Sequence, residues 1–146
     1  MSRPVLVSFL LVGEPVAKGR PRVGRSKGGR TVVYTPEKTA AYERRLRSVA
    51  SVEALRQGLR EPMTGPRSVS VEAVFGNTLK STPGSPHAIK PDLDNVLKTL
   101  DALNGVIWKD DSQIVRATVM KRRAYEAEHP HLWVSVEQLQ VFDSVT

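Results

Sequence analysis

The chain has 146 residues, with 22 Lys and Arg against 15 Asp and Glu, a formal net charge of +7 and a pI near 10.1. That length suits one domain around one core. There is no run of about 18 apolar residues to span a membrane, and the absence of Cys excludes thiolate chemistry and structural disulfides. The charge is unevenly spread. Residues 1–60 carry thirteen Lys and Arg against four Glu, and residues 61–146 carry nine against eleven acids. A basic front and an acidic back favour a polyanionic partner, and a Cys-free chain fits a reducing compartment such as the cytoplasm.

In chain order, Val5–Val12 reads as a buried strand, ended by Gly13 and Pro15. A strand fits this apolar run better than a signal peptide, because no small-residue cleavage site follows. Residues 18–30 hold six basic residues, Lys18, Arg20, Arg22, Arg25, Lys27 and Arg30, with four glycines and no acid. Such a segment cannot bury a core, and its charges repel one another. It reads as a flexible arm that tightens onto a phosphate backbone, with a merely solvated loop as the plainer alternative. It is not a P-loop, since GxxxxGK[ST] is absent.

Thr31–Tyr34 reads as a short strand. Thr35 as N-cap and Pro36 at the first helical position begin a helix expected to reach about Gln57. Its buried side is expected at Tyr42, Leu46, Val49, Ala50 and Leu55. Arg44, Arg45 and Arg47 lie in the middle of this helix, with at least one of them expected on a solvated face. Ser68–Phe75 alternates as a half-buried strand. Residues 76–89 form a long polar connection, expected to be mobile over the substrate or at a dimer interface, with His87 as a polar surface residue. Strands come next at Ile114–Arg123 and Leu132–Leu139, with Trp133 packed and His129 and His131 in the turn between them. The order predicts an α/β (α+β) domain: a small mixed β-sheet with two main helices, in one domain over residues 1–146.

Residues 90–113 concentrate Asp92, Asp94, Asp101, Asp110 and Asp111. Leu93, Val96, Leu97, Leu100 and Leu103 have the spacing of one amphipathic helix, with Asp92 as N-cap, Asp94 in the first turn and Asn104-Gly105 as the stop. Asp94, Lys98 and Asp101 share another face. Gathered carboxylates need a cation or water, and this spacing suits a hard divalent ion such as Mg²⁺. Taken singly, Asp92 and Asp94 would be helix caps, Lys98 an i, i+4 ion pair and Asp110-Asp111 a turn. Taken together beside a basic arm, they point to a metal site.

These motifs resemble the RusA-type crossover (Holliday) junction endodeoxyribonucleases. The shared pattern is Asp92-Leu93-Asp94-Asn95, Lys98, Asp101-Ala102-Leu103, Trp108 and Asp110-Asp111-Ser112-Gln113, with a looser match of Pro15 to Arg22 to the family's basic N-terminal segment. The resemblance implies that Asp92, Asp94 and Asp111 are catalytic metal-binding acids, with Asp110 as a further or alternate ligand, and that Lys98 is the catalytic lysine. It implies a RusA-like fold and a Mg²⁺-dependent homodimer, with Mn²⁺ able to substitute, that nicks branched DNA symmetrically in recombination and repair. Many relatives come from phages or prophages, so a bacterial or phage-infected cytoplasm is expected. One departure stands out: Lys98 lies one residue closer to Asp101 than in the family pattern, and a missing residue turns the remainder of an α-helix by about 100°. The PD-(D/E)xK nuclease signature is absent, because no acid lies two residues before Lys98, Lys109 or Lys121. The alternatives are a non-catalytic basic DNA-binding protein and a nuclease for forks, flaps, RNA or single strands.

Overall fold

The computed structural model describes residues 6–19, 22–34 and 36–139. A four-stranded mixed sheet carries the chain, in the order β1 (Leu6–Val12), β6 (His131–Gln138), β4 (Arg67–Phe75), β5 (Ile114–Arg123). Only β4 and β5 run parallel; the other pairs are antiparallel. β2 (Arg22–Arg25) and β3 (Thr31–Tyr34) form a separate two-stranded ribbon. The helices are α1 (Glu37–Arg56) and the short α2 (Leu93–Lys98). This is the expected α+β fold, with one strand more than expected, because the basic arm pairs with Thr31–Tyr34.

Period-2 patterning sets the core face of the sheet. Val7, Phe9, Leu11, Val69, Val71, Ala73, Leu132, Val134 and Val136 are all buried. Against them lie Tyr42, Leu46, Ala50 and Ala54 of α1, then Val96, Leu100, Leu103, Ile107 and Trp108. The expected burial of Leu55 is corrected: it is exposed, and Ala54 takes its place. Successive α-helical positions differ by about 100°, so only one of two adjacent residues near a stripe's edge can face inward. Thr35 lies outside the described residues; α1 starts after Pro36 and stops at Gly58, whose φ of +92° suits a residue without Cβ.

Each sheet edge is covered in part. The Gln57 side chain accepts from Ser8 N–H at 3.0 Å and donates to Ser8 C=O at 2.6 Å, imitating a neighbouring strand for β1. At the other edge the 76–91 connection is stitched to β5 rather than standing clear of it. Arg123 N–H donates to Ser85 C=O at 2.7 Å, and Asn77 Nδ2 to Ala124 C=O at 2.6 Å. His87, expected at the surface, is buried and stacks on Phe75 with ring centroids 4.0 Å apart. Lys121 then fixes the approach to the acidic stretch, donating to Ile89 C=O at 2.8 Å and Pro91 C=O at 2.5 Å.

Candidate active site

The expected single helix over 93–103 is corrected. α2 ends at Lys98, and Thr99–Leu103 continues as a 3-10 segment. Five residues at three per turn complete about 1.7 turns, as do six at 3.6 per turn. The tighter winding therefore offsets the missing residue. Leu100 and Leu103 stay buried beside Val96, whereas Leu93 at the helix entrance is exposed. Arg47 holds the end of the segment, its Nη1 donating to Ala102 C=O at 3.3 Å and Asn104 C=O at 3.0 Å. Arg44 pairs with Glu37, Arg45 donates to Val12 C=O and Arg56 pairs with Glu53, so all four arginines of α1 have partners. Trp108, fully buried, donates from Nε1 to Asn104 Oδ1 at 2.6 Å.

The acids fall into two kinds. Asp92 occupies the N-cap position of α2 but its side chain makes no capping hydrogen bond; it is exposed, beside a cleft lined by Lys90, Pro91 and Asn95. Asp94 is exposed one turn from Lys98, whose Nζ lies 3.4 Å from Asp94 Oδ2. Asp110, by contrast, is spent on local structure. It caps the 3-10 turn Asp111–Gln113, accepting from Ser112 N–H at 3.1 Å, and these hydrogen bonds hold its carboxyl below the usual range. Gln113 completes the box by accepting from Asp110 N–H at 3.0 Å, and donates to Met63 and Gly65 C=O. Asp111 is left facing outward. Partial loss of water, then a hydrogen bond shared with Asp101 and the nearby charges of Asp101 and Asp110, push its carboxyl above the ordinary range.

Lys18 departs from its expected place. Its Nζ lies 3.2 Å from Asp101 Oδ2 and 3.3 Å from Glu43 Oε1, while its backbone N–H donates to Asn95 C=O at 3.0 Å. These carboxylates hold the ammonium pKa above its usual value, even against the desolvation of burial. Lys18 is thus a tie between the basic segment and the first turn of α2 rather than a free phosphate contact. Arg20 lies outside the described residues, and Arg22 is placed only as backbone in β2. Arg25, Lys27 and Arg30 are exposed on the ribbon and its turn. Lys121, Lys18 and Arg47 all position this region, and none had a distinguishing sequence signal. Each is one basic residue among many until the fold supplies its carbonyl or carboxylate.

Among the described residues, no three Asp, Glu or His side chains converge to hold one ion. The His131 ring is tied to its own turn, its Nδ1 lying 2.8 Å from His129 C=O. The donors at α2 are hard oxygens, one of them uncapped and both open to water. That set does not make a closed cage. It does fit Mg²⁺, which takes one or two carboxylates, keeps several waters and completes its shell with substrate phosphates.

Comparison with known proteins identifies the family of the chain. The endodeoxyribonuclease RusA family model matches residues 13–137, from the end of β1 to the end of β6. The chain belongs to the RusA endodeoxyribonuclease family. It is also 33% identical over 146 residues to the uncharacterized protein YqaN of Bacillus subtilis (strain 168), covering 91% of this chain and 96% of that protein. The RusA match takes in Lys18, the ribbon, Asp92, Asp94, Lys98 and the Asp110-Asp111 turn in one family domain. Membership supports nuclease activity and DNA binding. Among the described residues no helix is long and apolar enough to cross a membrane.

Proposed function

We propose that this protein is a Mg²⁺-dependent, structure-selective endonuclease that nicks four-way DNA junctions symmetrically, as a homodimer acting in recombination and repair. Mn²⁺ would substitute for Mg²⁺, and the site of action would be the cytoplasm of a bacterium or phage-infected cell. The observation that carries this reading is the free carboxylate of Asp92 beside Asp94 and Lys98, in a chain of this nuclease family. A side chain kept for capping would be bonded to its helix, as Asp110 is.

Asp92, Asp94 and Asp111 would hold the ion, with Asp111 the essential member of its pair because Asp110 is engaged in the cap. When bound, the ion supplies an activated water and neutralises charge on the phosphate. The chain's own residues do the rest. Asp94 releases Lys98 as it turns to its ligand role, and the freed ammonium meets a phosphate oxygen on which charge develops. Lys18 and Lys121 keep the first turn of α2 fixed from either side. A two-fold dimer brings one such site to each of two equivalent strands.

The non-catalytic DNA-binding reading has one observation on its side, the lack of a converged three-acid set among the described residues. Asp94→Asn separates the two. It should abolish cleavage while leaving junction binding intact or tighter. A variant that cuts normally would remove Asp94 from the site.

A further inference from the structure

The β2–β3 ribbon carries apolar surface that the fold does not use. Val23 and Val33 face each other across it and are 69% and 66% exposed. Alternation places Arg25 and Thr31 on the same face. The other face is less open: the Tyr34 ring lies across Gly24, where a Cβ would stand 3.0 Å from it, and Val32 and Tyr34 are 41% and 48% exposed. Among the described residues the ribbon pairs with no strand of the main sheet, and an isolated two-stranded hairpin is marginal in water. Its turn is ordered by Ser26 N–H donating to Arg30 C=O and Gly29 N–H to Ser26 C=O, both at 2.9 Å.

The occupant of the valine face must be polyanionic as well as apolar. No acid lies between Glu14 and Glu37, and Arg25, Lys27 and Arg30 stand exposed around the pair. A second copy meeting it ribbon to ribbon would bring the same positive charge against it. The occupant must also reach the acidic site, because Lys18, four residues before β2, is bonded to Asn95 C=O in α2. A nucleic acid meets all three conditions: its phosphates take the basic side chains, and its base faces take the valines.

We propose that the Val23–Val33 pair is a wedge that enters DNA at a branch point, while Arg25, Lys27 and Arg30 hold the flanking phosphates. This rests on branched DNA being the substrate. Apolar side chains inserted between base steps must unstack them, which is costly in continuous duplex. A branch point has already interrupted its stacking, so the wedge favours junctions over duplex without reading sequence.

The test uses the full chain in EDTA, so that binding is measured without cleavage. A four-way junction with 2-aminopurine at the branch point, and a linear duplex of the same sequence, are titrated with wild type and with V23T/V33T. Thr keeps the β-branched shape and strand preference but places a hydroxyl where the methyl was. Wild type should raise 2-aminopurine fluorescence in the junction alone. The double variant should lose most of that rise and about tenfold in junction affinity, in line with the transfer free energy of two small apolar groups. Its duplex binding and salt slope, set by the basic side chains, should hold. V23I/V33I should restore the signal. Undiminished fluorescence and selectivity in V23T/V33T would overturn the wedge, as would no rise with wild type. Valine-dependent binding to phosphatidylglycerol vesicles with no change on DNA would also overturn it, assigning the face to a membrane. Because no outcome depends on cutting, a wedge that fails leaves the nuclease reading standing, and a protein that does not cut leaves the wedge testable.

Discussion

At the scale of the residue, what a side chain already does decides what it is free to do. Asp92 and Asp110 both occupy N-cap positions in the fold, yet only Asp110 accepts the capping bond. Lys98 and Lys18 are both lysines near acids, but Lys18 is three-quarters covered and sits between two carboxylates, whereas Lys98 and Asp94 expose more than half of their side chains. An exposed pair of that kind contributes well under about 1 kcal/mol to stability. Lys98→Ala should therefore leave urea unfolding almost unchanged while lowering the cleavage rate by about 100-fold or more, the usual effect of losing one charge-stabilising donor. Equal losses in stability and activity would make Lys98 a structural residue.

At the scale of the element, the proposed function rests on the basic ribbon and on α2 with its 3-10 extension. If the ribbon grips phosphates, replacing Arg25, Lys27 and Arg30 by Ala should flatten the slope of log K against log salt by about 0.9 for each phosphate no longer neutralised. Lys18→Ala should leave that slope alone, since its ammonium is already neutralised by Asp101 and Glu43. An unchanged slope in the triple variant would take the ribbon out of the interface. These elements also show where sequence stops being legible. Alternation at Val69, Val71 and Ala73 marked out β4, and the leucine stripe located the second helix, because both arise from backbone period. The change from α to 3-10 winding was hidden, since Val96, Leu100 and Leu103 fit one face under either geometry. The ribbon's first strand was hidden by its glycines and charges, which argue for a loop until Val23 finds Val33 across it. Lys121 and His87 could not be placed from sequence at all, because their partners come from the 76–91 connection laid along β5 and from Phe75 at the end of β4.

At the scale of the molecule, a one-layer sheet with helices on one face sets Asp92 and Asp94 at the start of α2 and Asp101 beyond its end, with Asp111 beside Asp101. The far side of β5 is bound together by Arg122, which pairs with both Glu72 and Glu128 and lies 4.5 Å from the Tyr125 ring. Hydrogen bonds from Arg122 hold the Glu128 carboxyl at about 2, below its ordinary 4.5. The folded state thus binds this proton more weakly than the unfolded chain. The stabilisation is complete above about pH 4.5 and is lost as pH falls toward 2. Thermal unfolding of wild type and Glu128→Gln should differ at pH 7 and converge at the acid end; a constant difference would show that the charge plays no part. The central claim is that this architecture cuts branched DNA. The most direct measurement is cleavage of a labelled synthetic four-way junction beside a matched linear duplex, with Mg²⁺ and with EDTA. Paired nicks in the junction alone, and only with Mg²⁺, are the predicted result. Tight junction binding with no cleavage under Mg²⁺ or Mn²⁺ would contradict it and leave a DNA-binding protein whose free aspartates do other work.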